Sequence, residues 1–148
     1  MRGVRDKDQF TPVGLFIREH CLQSELGLSV QNIDYLIHDY KRNYAQMIEE
    51  KSHGAFMPYS QRQTFMFLDE KIRDAATCAV HPFVYWGVFL LQLAGFTTFP
   101  GPGMKLNGVP ITVEELVQHI NFERQHVEGL TARTAAQLTV PFNGGHHG

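Results

Sequence analysis

Between Asp74 and Lys105 the chain carries no Asp, Glu, Lys or Arg, and within that stretch Phe83 to Phe99 is nearly continuous apolar sequence. Such a segment has to be enclosed by the rest of the chain, pressed against a partner, or inserted in a membrane. Spanning a bilayer takes about 20 apolar residues, with roughly 17 as the lower limit. Gly95 and Thr97-Thr98 interrupt the run, which makes it borderline as a span, and enclosure is the simpler expectation. Read as a helix opening at Pro82 and ending near Gly95, it is apolar on every side, as the central helix of a bundle would be.

The rest of the sequence offers helices to surround it. Thr11-Pro12 is a good helix start, and Gly27 ends that first helix after about Leu26. Ser29 caps a second, whose residues Ile33, Leu36, Ile37, Tyr40, Tyr44, Met47 and Ile48 recur at helical spacing, leaving Asp34, Asp39, Arg42 and Glu49 for water. Ser60 and Gln63 form a capping box for a third, with Phe65, Leu68, Ile72, Ala75 and Ala79 inward. Thr112 and Glu115 form another for the last helix, which carries Val113, Leu116, Val117, Ile120 and Val127 inward to about Leu130. Asn107-Gly108 signals a tight hairpin turn, hence at most a short β-ribbon over residues 104–111. The expectation is an all-α fold: about five helices bundled around a central apolar one, in a single helical domain over residues 1–142. The tail 143–148 has nothing to bury and is expected to be disordered.

Composition narrows function only by exclusion. With 148 residues, 43% apolar and 19% charged, the chain is globular and sized for one core. A formal charge of −2 gives no overall basic field, so nucleic acid is not favoured as a partner. Cys21 and Cys78 stand far apart without CxxC spacing, which points to the cytoplasm or another reducing compartment rather than to a disulfide framework. The charged N-terminus lacks the apolar run of a secretory signal.

The best chemical constellation is on the last helix, where Glu115, His119, Glu123 and His126 share a narrow strip at spacings of four, four and three. Carboxylate and imidazole together can hold a divalent metal or pass protons, although a closed site needs ligands from a second element. The other Glu-x-x-His pair, Glu50/His53, does not face a core at about 100° per residue. Cys78 and His81 lack an orienting third group, and Pro100–Gly103 lacks the Lys-Ser/Thr of a phosphate loop. Six aromatics, Phe56, Tyr59, Phe67, Phe96, Phe99 and Phe122, fall in loops or off the apolar stripes and are candidates for partner binding. No cofactor is required. The sequence therefore reads first as a non-catalytic interaction protein, a subunit or adaptor with a protein partner or self-association. The alternatives are a metal- or proton-handling helical-bundle enzyme on the Glu/His strip, and a membrane-associated small subunit using Phe83 to Phe99.

Overall fold

The structure, a computed structural model, describes residues 11–20, 31, 33–78, 80–95 and 99–141. It is organised by a mixed five-stranded sheet, which overturns the expected all-α bundle. In chain order come helix α1 (Pro12–His20), strands β1 (Tyr35–Asp39) and β2 (Tyr44–Lys51), and helix α2 (Tyr59–Ala76). Strand β3 (Val84–Gln92), the two-residue strands β4 (Lys105–Leu106) and β5 (Val109–Pro110), and helices α3 (Val113–Ile120) and α4 (Ala132–Gln137) follow. The sheet order is β1-β2-β3-β4-β5; β2 and β3 are parallel and the other neighbours antiparallel. Helix α2 is the crossover that a parallel pair requires.

The expected second helix is instead the β1–β2 hairpin. Its apolar residues divide between the two faces of paired strands, with Leu36 opposite Met47 and Ile37 opposite Gln46. The turn is set by polar side chains: Asp39 Oδ1 accepts the N–H of Lys41 at 3.0 Å and of Arg42 at 3.1 Å, and Asn43 takes a left-handed φ of 61°. Asp and Asn tolerate such turns because they bond the nearby backbone.

The expected central helix is β3. Nine residues rich in Val, Tyr, Trp, Phe and Leu suit a strand covered on both faces, for which a continuous apolar run is the signature. Enclosure holds for residues 87–93, whereas Val84 and Phe99 at the two ends are about half exposed, and the conformation is strand rather than helix. Among the described residues no helix is long and apolar enough to cross a membrane.

The last helix keeps its Thr112–Glu115 capping box but stops at Ile120, and Phe122 follows with a φ of 57°. The third expected helix is α2, although its N-cap is Pro58 without a side-chain bond rather than Ser60. Asn107-Gly108 does close a ribbon, β4–β5, which extends the main sheet. Ser29, Phe96 and the tail 143–148 lie outside the described residues.

Two apolar layers flank the sheet. On one face Met47, Val88 and Leu90 pack with Phe65 of α2 and Ala135 of α4; on the other Ile48, Phe89 and Leu91 pack with Leu116 of α3. Filling both requires a change of parity in β3. The register with β2 slips between Ala45 and Gln46, where Ala45 faces Tyr85 but Gln46 faces Gly87. This bulge lets Tyr85 and Val88 share the α2 face while Trp86 and Phe89 share the α3 face. Gly87 pays a conformational role here with a φ of +120°, and a Cβ at its position would lie 2.7 Å from Arg73 Nη2 and 3.0 Å from Gly129 Cα. Gly87→Ala should therefore destabilise the fold by about 2–4 kcal/mol, through an unfavourable φ and a backbone collision. Urea denaturation followed by circular dichroism measures it.

Candidate functional site

At the carboxyl end of β2 the apolar sequence gives way to Glu49-Glu50-Lys51. A strand alternates its side chains, so Glu49 and Lys51 share one face and Glu50 takes the other. Glu50 pairs outward with Tyr35, whose hydroxyl donates to its Oε1 at 3.1 Å. Glu49 turns toward α2, where Gln61 Nε2 donates to Glu49 Oε2 at 2.8 Å and Lys51 Nζ lies 3.3 Å from the same oxygen.

A second carboxylate comes from the bend just ahead of β1. Asp34 precedes Tyr35, which pairs with Ile48 at the end of the β1–β2 ladder. Asp34 Oδ2 accepts the backbone N–H of Glu50 at 2.9 Å, which fixes the carboxylate beside the Glu49–Lys51 turn of the strand. Gln61 stands in the first turn of α2, and a helix N-terminus presents partial positive charge. The four residues thus gather at the carboxyl end of the parallel pair, the end at which open sheets with crossover helices place their ligands.

Burial sharpens the geometry. Glu49 is 1% exposed and Gln61 5%, while the Lys51 side chain is 12% exposed. Gln61 Oε1 has no hydrogen-bond partner among the described residues. Every donor atom in this group other than Lys51 Nζ and the Gln61 amide nitrogen is oxygen, which suits a hard divalent cation such as magnesium or manganese. Among the described residues no group of three or more His, Cys, Asp and Glu is placed to hold a metal. A two-carboxylate site leaves positions for water and phosphate oxygens, the usual arrangement for magnesium.

Helix α3 ends before Glu123, yet the chain beyond it returns His126 to the side of Glu115 and His119. Glu115 is tied into the capping box; the Thr112 backbone N–H, then its hydroxyl, hold its carboxyl below the usual range. Glu123 is exposed in the loop beyond the helix. His119 is fully buried, with its ring edge-on to Phe89 at 4.4 Å and Trp86 at 5.1 Å, and its Nδ1 accepts the His126 backbone N–H at 3.2 Å. His126 is partly buried; its Nε2 bonds Gln118 Oε1 at 2.7 Å and its Nδ1 lies 3.9 Å from Glu115 Oε2.

The six aromatics also separate. Phe56, Phe67 and Phe99 are more than half exposed, and Tyr59 is half-buried. Phe122, only 5% exposed, packs against Trp86 and Tyr44 and offers no surface to a partner. Cys78 is exposed, its thiol held below the ordinary value by the backbone N–H groups of His81 and Val80.

Sequence reasoning missed Asp34, Glu49, Lys51 and Gln61 because a helical reading turned Asp34 and Glu49 to water. The available signal was the alternation at Glu49-x-Lys51 at the end of an apolar strand, with an acid preceding the partner strand.

Burial, and then the neighbouring His126, depress the His119 pKa from 6.5 to about 4. Its folded form is neutral, so its contribution is complete above pH 6.5 and is lost as pH falls toward 4, where only the unfolded chain has bound the proton. That loss is on the order of 3 kcal/mol. Wild type should therefore lose that much of its stability advantage over His119→Gln between pH 7 and pH 4, as read from urea midpoints. No protein-family model, no curated protein and no solved structure matches the chain.

Proposed function

We propose that this protein is a divalent-metal-dependent phosphodiester hydrolase, a nuclease, with Asp34, Glu49 and Lys51 at its centre and Gln61 positioning Glu49. The observation that carries the reading is a buried carboxylate with an ammonium beside it, Lys51 Nζ 3.3 Å from Glu49 Oε2, and a second carboxylate, Asp34, bonded to the next backbone N–H of the strand, that of Glu50. Burying a carboxylate with an ammonium is costly, and apolar residues of similar volume would stabilise the fold as well or better. Their retention at the end of an otherwise apolar strand favours a chemical role.

The donor set selects the reaction class. Two carboxylates without imidazole or thiolate suit magnesium or manganese rather than zinc, and such cations are commonly shared with substrate phosphate. Lysine binds phosphate as a point charge. The chain's charge of −2 supplies no general attraction for a polyanion, so attraction in this reading is local, from Lys51, the α2 N-terminus and the cation. Cavities of about 610 Å³ along residues 101–113 and about 510 Å³ between α2, β3 and residues 125–131 lie apart from the four residues.

A bound cation would lower the pKa of a coordinated water and offset charge on the phosphoryl oxygens, with Asp34 and Glu49 as its oxygen ligands. The Gln61 amide holds Glu49 Oε2 in one orientation, and the Lys51 ammonium would stabilise negative charge as water attacks. The water oxygen would bond to phosphorus and release one proton to solvent as the ester P–O bond breaks, and the departing oxygen would take up a proton from solvent. An exposed Cys78 thiol is compatible with a reducing, cytoplasmic setting.

Labelled single-stranded DNA, duplex DNA and RNA, each incubated with the full chain and Mg²⁺ or Mn²⁺, test the reading. Cleavage is expected, abolished by chelator and reduced roughly 100-fold or more in Glu49→Gln, Asp34→Asn and Lys51→Ala, each with the wild-type circular dichroism spectrum. Failure to cut any of the three, or variants as active as wild type, sinks it.

A second reading, a non-catalytic subunit or adaptor, draws on the exposure of Phe56, Phe67 and Phe99. Such aromatics anchor interfaces when a partner covers them. A stable oligomer in light scattering, together with absence of metal-dependent cleavage, would favour it.

A further inference from the structure

Lys51 and Gln61 are joined by the loop that leads into α2, and this loop is drawn across the site's face of the sheet. Gln92 pairs with Lys51, and its Nε2 donates to the carbonyls of Gly54 at 3.1 Å and Ala55 at 2.9 Å. The next two residues point in opposite directions. Met57 is fully buried against the α2-side core, whereas Phe56 is 51% exposed. Phe56 lies midway along the loop from Lys51 to Gln61, next to the Ala55 carbonyl that Gln92, the strand partner of Lys51, holds.

A cation follows six residues along the chain. In the first turn of α2 the Arg62 guanidinium carbon lies 5.0 Å from the centre of the Tyr59 ring. An exposed aromatic followed by a ring-supported guanidinium matches the chemistry of an unpaired nucleotide, whose base stacks on the ring and whose phosphate meets the cation. The pattern does not continue along the helix. Lys71 lies over Phe67 at 5.7 Å but is also paired with Glu70 at 3.6 Å, which offsets its charge. The contact is thus confined to the first turn, at the edge of the centre.

Resting on the nuclease reading, we infer that the substrate is single-stranded or locally unpaired nucleic acid, with a base stacked on Phe56 and the adjoining phosphate held by Arg62. A base within a duplex has both faces covered and cannot use the ring, so the preference follows from stacking alone and tolerates any sequence.

The experiment uses the full-length Glu49→Gln protein with Mg²⁺ and fluorescein-labelled oligothymidine, against a duplex of equal length, by fluorescence anisotropy. Tighter binding to the single strand is expected. Adding Phe56→Ala should weaken that binding roughly tenfold, Phe56→Trp should restore it, and Arg62→Ala should reduce the salt dependence by about one charge. Equal or tighter binding of the duplex, or no effect of Phe56→Ala, overturns the inference even where cleavage is metal-dependent. If no nucleic acid is cut but binding still falls with Phe56→Ala and recovers with Phe56→Trp, the hydrolytic reading fails while the single-strand surface stands. Phe56 is exposed, so its replacements leave the core intact.

Discussion

The rest of the structure depends on the parallel pairing of β2 with β3. These strands run side by side from Tyr44–Val84 to Lys51–Gln92, and together they supply residues to both apolar layers. Parallel neighbours cannot be joined by a tight turn, so the chain must cross the sheet between them, and α2 is that crossing. Its direction then follows. A helix that carries the chain back to the start of β3 begins beside the end of β2, and this brings Gln61 to Glu49. The site is therefore a consequence of the topology: the polar end of a strand and the first turn of its crossover helix cannot avoid each other.

The pairing also creates a conflict that the sequence resolves with one glycine. A regular β3 could not keep Tyr85 on the α2 face, where its hydroxyl donates to Asp69 Oδ1 at 3.0 Å, and Trp86 on the α3 face without misdirecting Val88 and Phe89. The bulge at Gly87 reverses parity once and satisfies both layers. Asp69 in turn accepts from Arg73 Nε at 2.8 Å, so the opposite end of α2 is fastened by its own polar cluster. Burial beside Asp69, and the proton Tyr85 donates to it, push the Tyr85 phenol well above its ordinary value, keeping it a donor. Both ends of α2 are thus held by buried carboxylates; at the β2 end the carboxylate also has a neighbouring acid and an ammonium.

What could be read from the sequence was enclosure, capping and turns, because these are local. The middle of the uncharged stretch, residues 87–93, is enclosed, Thr112–Glu115 caps α3, and Asn107-Gly108 turns the ribbon. What could not be read was whether an apolar run is helix or strand. Ile33, Leu36, Ile37, Tyr40 and Tyr44 satisfy a helical period by accident, since a five-residue strand and a short turn together span about the same spacing. The run through β3 has no period at all, and such runs fit a buried helix or a buried strand equally. The error then propagated to function. On a helix, Asp34 and Glu49 are surface charges; in the hairpin Asp34 bonds the N–H of Glu50, the residue that follows Glu49. Only the conformation of residues 34–51 separates a solvated flank from a candidate metal centre.

The distribution of these residues over the fold explains how rigid chemistry and adaptable recognition can coexist in a domain this small. Glu49 and Lys51 belong to a strand paired on both sides, Gln61 to an 18-residue helix, and Asp34 is held by a backbone N–H of that same strand. Three of the four are thus carried by regular elements, and Asp34, in the bend ahead of β1, is fixed by its hydrogen bond; the proposed chemistry would need such rigid placement. Phe56 lies in the connecting loop, but the loop is pinned on either side of it, by Gln92 at Ala55 and by the hydrogen bond from Met57 N–H to Leu138 O. The ring is exposed while the backbone beneath it is held. On the proposed reading, such a surface would accept many sequences and still present each phosphate to one place.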